Sequence, residues 1–168
     1  QYPIISLEDG MGETDWEESW KDNYPPQPVG ESLVVLPYWL EETETDRKKI
    51  ILDPGLTFGT GAHPSTQMVM ETMEGTDLRN AVCIDLGSGS GILSIAALCL
   101  GAKHAVAVDI DPKAVDVAYE NAELNGIGRD QYLVRAGDVL TDKSLANELA
   151  QQRYELVLAN IVADVIIP

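Results

Sequence analysis

The sequence predicts an α/β fold: a Rossmann-like, doubly wound parallel sheet with helices on both faces. Three observations carry this. From Asn80 onward, short apolar runs alternate with helical patterns, as in strand-helix-strand units. The strands are apolar throughout rather than alternating, which suits strands buried on both faces. The first of them runs directly into a glycine-rich turn, "CIDLGSGSGIL" from Cys83 to Leu93. Such turns hold nucleotide-like ligands at the carboxyl ends of parallel strands.

The elements follow in order. Residues 1–30 carry loop signals, Gly10, Gly12 and "YPPQPVG" (Tyr24 to Gly30). Trp16, Trp20 and Trp39 stand in or beside this region and are expected to pack it onto a core or onto a surface outside the chain. "SLVVLPYW" (Ser32 to Trp39) and "KKIILD" (Lys48 to Asp53) read as strands. The acidic loop "EETETD" between them makes a hairpin the expected pairing. "DPG" (Asp53 to Gly55) is a turn, and "FGTGAHPST" (Phe58 to Thr66) a loop of small residues. Pro64 suits the first turn of a helix reaching Glu74.

"AVCIDL" is then the first strand of the regular part, and "ILSIAALCL" a buried helix that Gly101 ends. "HAVAVDI" is the second strand. Asp111 and Pro112 open a helix with Ala114, Val115, Ala118 and Ala122 on one face and Asp116, Glu120 and Glu123 largely on the other. Asn125-Gly126 stops it. "QYLVRA" is the third strand, Asp142 to Gln152 a polar helix, and "YELVLAN" (Tyr154 to Asn160) the fourth strand.

Composition bounds the function. At 168 residues, 45% hydrophobic and 23% charged, the chain has the makeup of one soluble globular domain. It contains neither an apolar run of membrane length nor a signal-peptide pattern at its start. Its two cysteines, Cys83 and Cys99, sit among apolar neighbours. They read as buried reduced thiols, which fits the cytoplasm, and are too few for a cysteine-rich metal site. The formal charge of −17, without a basic patch, excludes the usual nucleic-acid binder. Such acidity serves solubility, and it also attracts a basic partner at low salt.

The glycine turn selects among ligands. The dinucleotide fingerprint G-x-G-x-x-G fails, because the sixth position is Ile92 counted from Gly87 and Ser94 counted from Gly89. A phosphate loop needs a lysine that does not follow. What remains is G-x-G-x-G at Gly87, Gly89 and Gly91, with Asp109 at the end of the next strand, placed to accept two ribose hydroxyls. A ribose without phosphates beside an acidic wall suits adenosine carrying a sulfonium, so S-adenosylmethionine (SAM) is the expected cofactor. Asp138 could accept from the adenine amino group or cap the next turn. His63, inside a glycine-rich loop, reads as structural rather than as a base, and no residue stands out as a catalytic base.

These residues resemble the class I SAM-dependent methyltransferases and, more narrowly, the ribosomal protein L11 methyltransferases. The narrow resemblance rests on "LDPGLTFGTGAHPST", "IDLGSGSGILSIAALCLGA", "VDIDPKAV", "ENAELNG" and "LANI". It implies a class I methyltransferase-type sheet cut short after its fourth strand. The implied organisation is a linker and hairpin segment over 1–47 and a partial SAM-binding domain over 48–168. The implied activity is methyl transfer to amino groups, mainly of lysine, on a basic large-subunit ribosomal protein. The implied cofactor contacts are Thr66, Gly87, Gly89, Asp109 and Asn160. Asn160-Ile161-Val162-Ala163 departs from the Asn/Asp-Pro-Pro-aromatic run of many amide- and base-directed methyltransferases. Family members carry a substrate-recognition domain before this segment and three further strands after it, so the chain reads as a fragment with an unpaired sheet edge. A small-molecule methyltransferase and a SAM-binding fragment without turnover are the alternatives. Neither nucleic-acid nor membrane binding is expected, and the oligomeric state is left open.

Overall fold

The computed structural model describes residues 21–55 and 59–161. The expectations for Trp16, Trp20, the acidic stretch before Trp20, Phe58 and Val162-Ala163 lie outside these residues. Four strands form the predicted parallel sheet: β4 (Val82–Leu86), β5 (His104–Asp109), β6 (Tyr132–Ala136) and β7 (Leu156–Ala159), in the order β6-β5-β4-β7. Between them run α2 (Ile92–Cys99), α3 (Pro112–Leu124) and α4 (Lys143–Ala150), and α1 (Pro64–Glu74) precedes them.

The helix boundaries follow local chemistry. Asp111 accepts from Lys113 N–H at the start of α3, and Asp142 from Ser144 and Leu145 N–H at the start of α4. Each such cap stabilises its helix by about 1 kcal/mol. Residues of β4 alternate between the sheet's faces. Cys83 joins the core under α2 and α3 with Ala105, Ala107, Tyr132 and Ile95, whereas Ile84 joins Val106, Val108, Leu145 and Leu149 under α4. The small residues on the first face, met by Ala96, Ala97, Ala118 and Ala122, let two helices approach the strands closely. Ile95 is fully buried there, and truncating it to alanine is expected to cost about 2–5 kcal/mol.

The N-terminal strands correct one expectation. β1 (Gln27–Val29), β2 (Leu33–Pro37) and β3 (Lys48–Leu52) form a second sheet, in which β1 and β2 make the antiparallel hairpin. β2 and β3 are parallel, with Leu33 opposite Lys48 and Pro37 opposite Leu52. The expected hairpin between them is therefore absent, and a boundary at 47/48 falls between two paired strands. The reason is in the connection: a 3-10 turn (Tyr38–Leu40) and the acidic loop carry the chain back to the start of β2. There Arg47 Nη1 donates to the carbonyls of Val29, Gly30 and Leu33 at 3.2, 2.8 and 3.0 Å, anchoring the return.

This small sheet shares the α2 core through Val29, Leu33, Val35, Ile50 and Leu52. Two further ties fix it. Glu74, ending α1, accepts from Glu31 N–H, Ser32 N–H and Ser32 Oγ–H at 2.7–3.0 Å. On the far side of β3, the Asn125 carboxamide accepts from Ile51 N–H at 2.8 Å and donates to Ile51 O at 2.7 Å. That side chain satisfies two groups which an edge strand would otherwise leave unpaired.

Candidate functional site

The site lies where the sheet changes direction. The chain winds outward from β4 through β5 to β6, then crosses back to β7 on the other side of β4. The carboxyl ends of β4 and β7 therefore flank the crevice where open α/β sheets bind ligands. The register sets Leu86 level with Val108 and Ala159, and Asp109 level with Ala136. Gly87, Asp109 and Asn160 thus leave the sheet at one height.

The glycine turn is held in a shape that side chains oppose. Gly87, Gly89 and Gly91 have φ of 74°, 52° and 79°, a region costly for any residue with a Cβ. A Cβ on Gly87 would also run into Ile161 Cγ2, and one on Gly91 into Tyr132 Oη. Gly87 and Ser88 N–H donate to Val108 O at 2.8 and 3.2 Å, and Gly89 N–H donates to Asp109 Oδ2 at 2.8 Å. Ser90 Oγ–H donates to Gly59 O at 2.7 Å, and Asn121 Nδ2 to Ser90 O at 2.9 Å.

The turn opens α2, whose N-cap is Gly91 and offers no side-chain acceptor. Asp85, on β4, does that work from outside the helix: its Oδ2 accepts from Ser94 N–H at 3.2 Å and Ser94 Oγ–H at 2.8 Å. An anion at a helix N-terminus is favourable. Burial nevertheless lifts the Asp85 carboxyl to about 6. The Ser94 hydrogen bonds act in the other direction, and the nearby Asp109 charge adds to the rise.

The opposite wall comes from α1 and β7. Thr66 is buried in the first turn of α1, and its Oγ1 accepts from Asn160 Nδ2 at 2.9 Å. His63 is the N-cap of that helix; its Nδ1 accepts from Ser65 N–H at 3.2 Å and lies 2.7 Å from Ser65 Oγ. A cavity of about 530 Å³ opens between the walls, lined by Gly59, His63, Ser65, Thr66, Gly87, Ser88, Gly89, Ser90, Ile92, Leu93, Asn160 and Ile161.

Of the five residues that sequence reasoning names, Thr66, Gly87, Gly89 and Asn160 meet at this cavity. Asp109 stands behind Gly89, half-buried, with Oδ1 accepting from Asp111 N–H at 2.9 Å. A carboxylate oxygen can accept a second hydrogen bond beyond the one each makes here. Asp138 caps a turn: it accepts from Leu140 N–H and Thr141 Oγ–H, both at 2.9 Å, and these bonds lower its pKa. Sequence reasoning missed Asp85, Ser94 and Asn121, and read Asn125 only as the helix stop that it is, not as a tie to β3. The available signals were an acid inside the apolar run "AVCIDL" and two asparagines one helical turn apart in "ENAELNG". Among the described residues, no group of three or more His, Cys, Asp and Glu could hold a metal. Among those residues, too, no helix is long and apolar enough to cross a membrane.

The strand order, the glycine turn at the switch point and the acid ending the neighbouring strand define the cofactor half of a Rossmann-like methyltransferase-type domain. A family model described as ribosomal protein L11 methyltransferase matches residues 5–168. The chain belongs to that family. It is 42% identical over 167 residues to the ribosomal protein L11 methyltransferase of Histophilus somni strain 2336, covering 96% of this chain and 55% of that protein. To the protein of the same name from Edwardsiella ictaluri it is 45% identical over 160 residues, 93% of this chain and 53% of the relative. The chain thus spans about half the length of these curated relatives. The crystal structure of ribosomal protein L11 methylase from Lactobacillus delbrueckii subsp. bulgaricus superposes with a TM-score of 0.72 at 35% identity, over 85% of this chain and 69% of that one.

Proposed function

We propose that this chain is the cofactor-binding part of an enzyme that uses SAM to methylate amino groups, mainly of lysine, on ribosomal protein L11. The observation that carries the reading is the cradle at the switch point. Two left-handed glycines, Gly87 and Gly89, bring backbone to the cavity wall, with the Asp109 carboxylate bonded to Gly89 N–H and the Thr66–Asn160 pair also lining the cavity. The cradle fits SAM: Asp109 would take the ribose hydroxyls, and Gly87 and Gly89 would admit the ligand where a Cβ would exclude it. Thr66 and Asn160 would hold its far side. The cofactor supplies a methyl group on a sulfonium that is already primed to leave.

The protein's part is then to position the partners, which supplies about 7–11 kcal/mol in favourable cases. Ile92, Leu93 and Ile161 give the cavity part of its apolar wall. A lysine entering it becomes easier to deprotonate, because desolvation disfavours the ammonium form. The acidic balance of the chain, −17, supports capture of a basic protein by long-range attraction, and a cytoplasmic setting fits a ribosomal-protein substrate. Binding of L11 by the full-length enzyme is therefore expected to weaken as salt rises from low to physiological strength.

The test is transfer of labelled methyl from SAM into purified L11 by the full-length protein, with modified residues located by mass spectrometry. Label on lysine amino groups supports the reading. Label confined to small-molecule amines, with L11 unmodified, overturns the assignment of a protein substrate.

A further inference from the structure

One buried carboxamide outside the cavity joins the end of β3 to the glycine turn. Asn121, on α3, is 0% exposed. Its Oδ1 accepts from Asp53 N–H at 2.9 Å, just past β3, and its Nδ2 donates to Ser90 O at 2.9 Å, inside the turn. These partners fix the orientation of the carboxamide, since an N–H requires its oxygen and a carbonyl its nitrogen. One helical turn on, Asn125 fastens β3 to the same helix through both polar groups of Ile51, and donates to Asn121 O at 2.7 Å. Ser90, at the far end of the link, lines the cavity and is 4% exposed. Its Oγ–H donates to Gly59 O at 2.7 Å, and Gly59 lines the same cavity. The approach is tight: a Cβ on Gly59 would stand 2.9 Å from Ser90 Oγ.

We propose that Asn121 is a positioning residue for SAM: without touching the ligand, it sets the glycine turn against the end of β3 and so fixes the wall that receives the cofactor. This rests on the cofactor reading above. Ser90 lies between Gly89 and Gly91, residues whose backbone resists displacement least. Ties from outside the turn therefore decide where Ser90 stands. It has two: its hydroxyl goes directly to Gly59, and its carbonyl goes through Asn121 to Asp53, six residues before Gly59. The first tie joins two wall residues to each other. The second anchors the wall to the small sheet and to α3. Loss of the Nδ2 donor leaves the Ser90 carbonyl unsatisfied in a buried setting, and the turn must shift to find another partner.

The test is calorimetric titration of this chain with SAM, parent against Asn121→Asp, from about pH 8 to about pH 5, a range that spans the protonation of a buried carboxyl. The substitution keeps an acceptor for Asp53 N–H and, while ionised, sets a second acceptor against Ser90 O. Burial raises the pKa of the introduced carboxyl, and Asp53, the acid on the bonded segment, acts in the same direction. Once protonated, the carboxyl donates where Asn121 Nδ2 did. The variant should hold SAM about tenfold more weakly than the parent at the alkaline end, and the two affinities should converge as pH falls. Denaturant melts of the variant locate its protonation independently. A merely structural role would move those melts and leave the SAM affinity of the folded variant equal to the parent's. Equal affinity in a folded variant, or a deficit unchanged across its protonation, overturns the inference alone. If Asn121→Asp does not fold at the alkaline end, Asn121→Ala decides. It carries no charge, so a loss of about tenfold at every pH is expected, and parent-like affinity overturns the inference. Absence of SAM binding by the parent overturns it together with the cofactor reading.

Discussion

Two aspartates anchor the same turn, and their surroundings give them different properties. Asp85 holds the start of α2 through Ser94, and Asp109 holds the middle of the turn through Gly89 N–H. Both are strand residues near carboxyl ends, one on β4 and one on β5. Asp85 lies within the core, where burial raises its pKa to about 6. Asp109 lies half-buried at the end of β5, and a carboxylate of this kind can accept more than the two hydrogen bonds it makes here. The same residue type is thus a destabilising internal charge in one place and a half-buried hydrogen-bond acceptor in the other. Depth below the turn decides which.

The largest expected effect concerns stability against pH. A carboxyl whose folded pKa is raised contributes stability that is fully present below its unfolded value, near 4, and lost as pH rises through the folded value near 6. From ordinary to raised pKa this amounts to about 3 kcal/mol for Asp85. Asp85→Asn should remove that dependence, so denaturant melts should show the variant gaining on the parent as pH rises from 4 to 7. A constant difference across that range would mean that Asp85 is not titrating in the folded chain. Glu74 has the opposite sign: burial works to raise its pKa, but its hydrogen bonds to Ser32, Glu31 and Leu33 prevail and lower it. Its contribution is present above its ordinary value and fades as pH falls, which Glu74→Gln melts taken into acid would reveal.

A neutral pair sharpens the contrast. Thr66→Val removes the acceptor for Asn160 Nδ2, with an expected cost of about 1 kcal/mol. A double-mutant cycle with Asn160→Ala should return most of that as coupling, independent of pH. The smallest effect belongs to a charged pair in solvent. Arg135 and Glu148 meet at 3.1 Å with side chains 40% and 54% exposed, so Glu148→Gln should change stability by less than about 0.5 kcal/mol. A larger loss there would show that charge alone, rather than burial, sets the scale.

The regular half of the fold was legible because its signals are local. Apolar runs, Pro64 and Pro112 at helix starts, Asp111 as a cap and Asn125-Gly126 as a stop each act within a few residues. The glycine turn and Asp109 were readable for the same reason. The pairing of β2 with β3 was not, since Arg47 anchors the return through carbonyls 14 to 18 residues away, and nothing adjacent in sequence marks that. Asn121 and Asn125 reach β3 and the glycine turn across 68, 74 and 31 residues. On the helix they look like ordinary polar positions. Asp85 was visible as an acid in an apolar strand, but only the packing of α2 reveals its partner.

The central claim is that the glycine turn, Asp109 and the Thr66–Asn160 pair form a SAM site. Calorimetric titration of this chain with SAM, with NAD as the control ligand and Asp109→Ala as the variant, tests it most directly. The account predicts saturable binding of SAM, none of NAD, and a loss of about tenfold to a hundredfold or more in the variant, as the charged acceptor for two hydroxyls is removed. Equal binding of SAM by the parent and a folded Asp109→Ala chain, or preference for NAD, would contradict it.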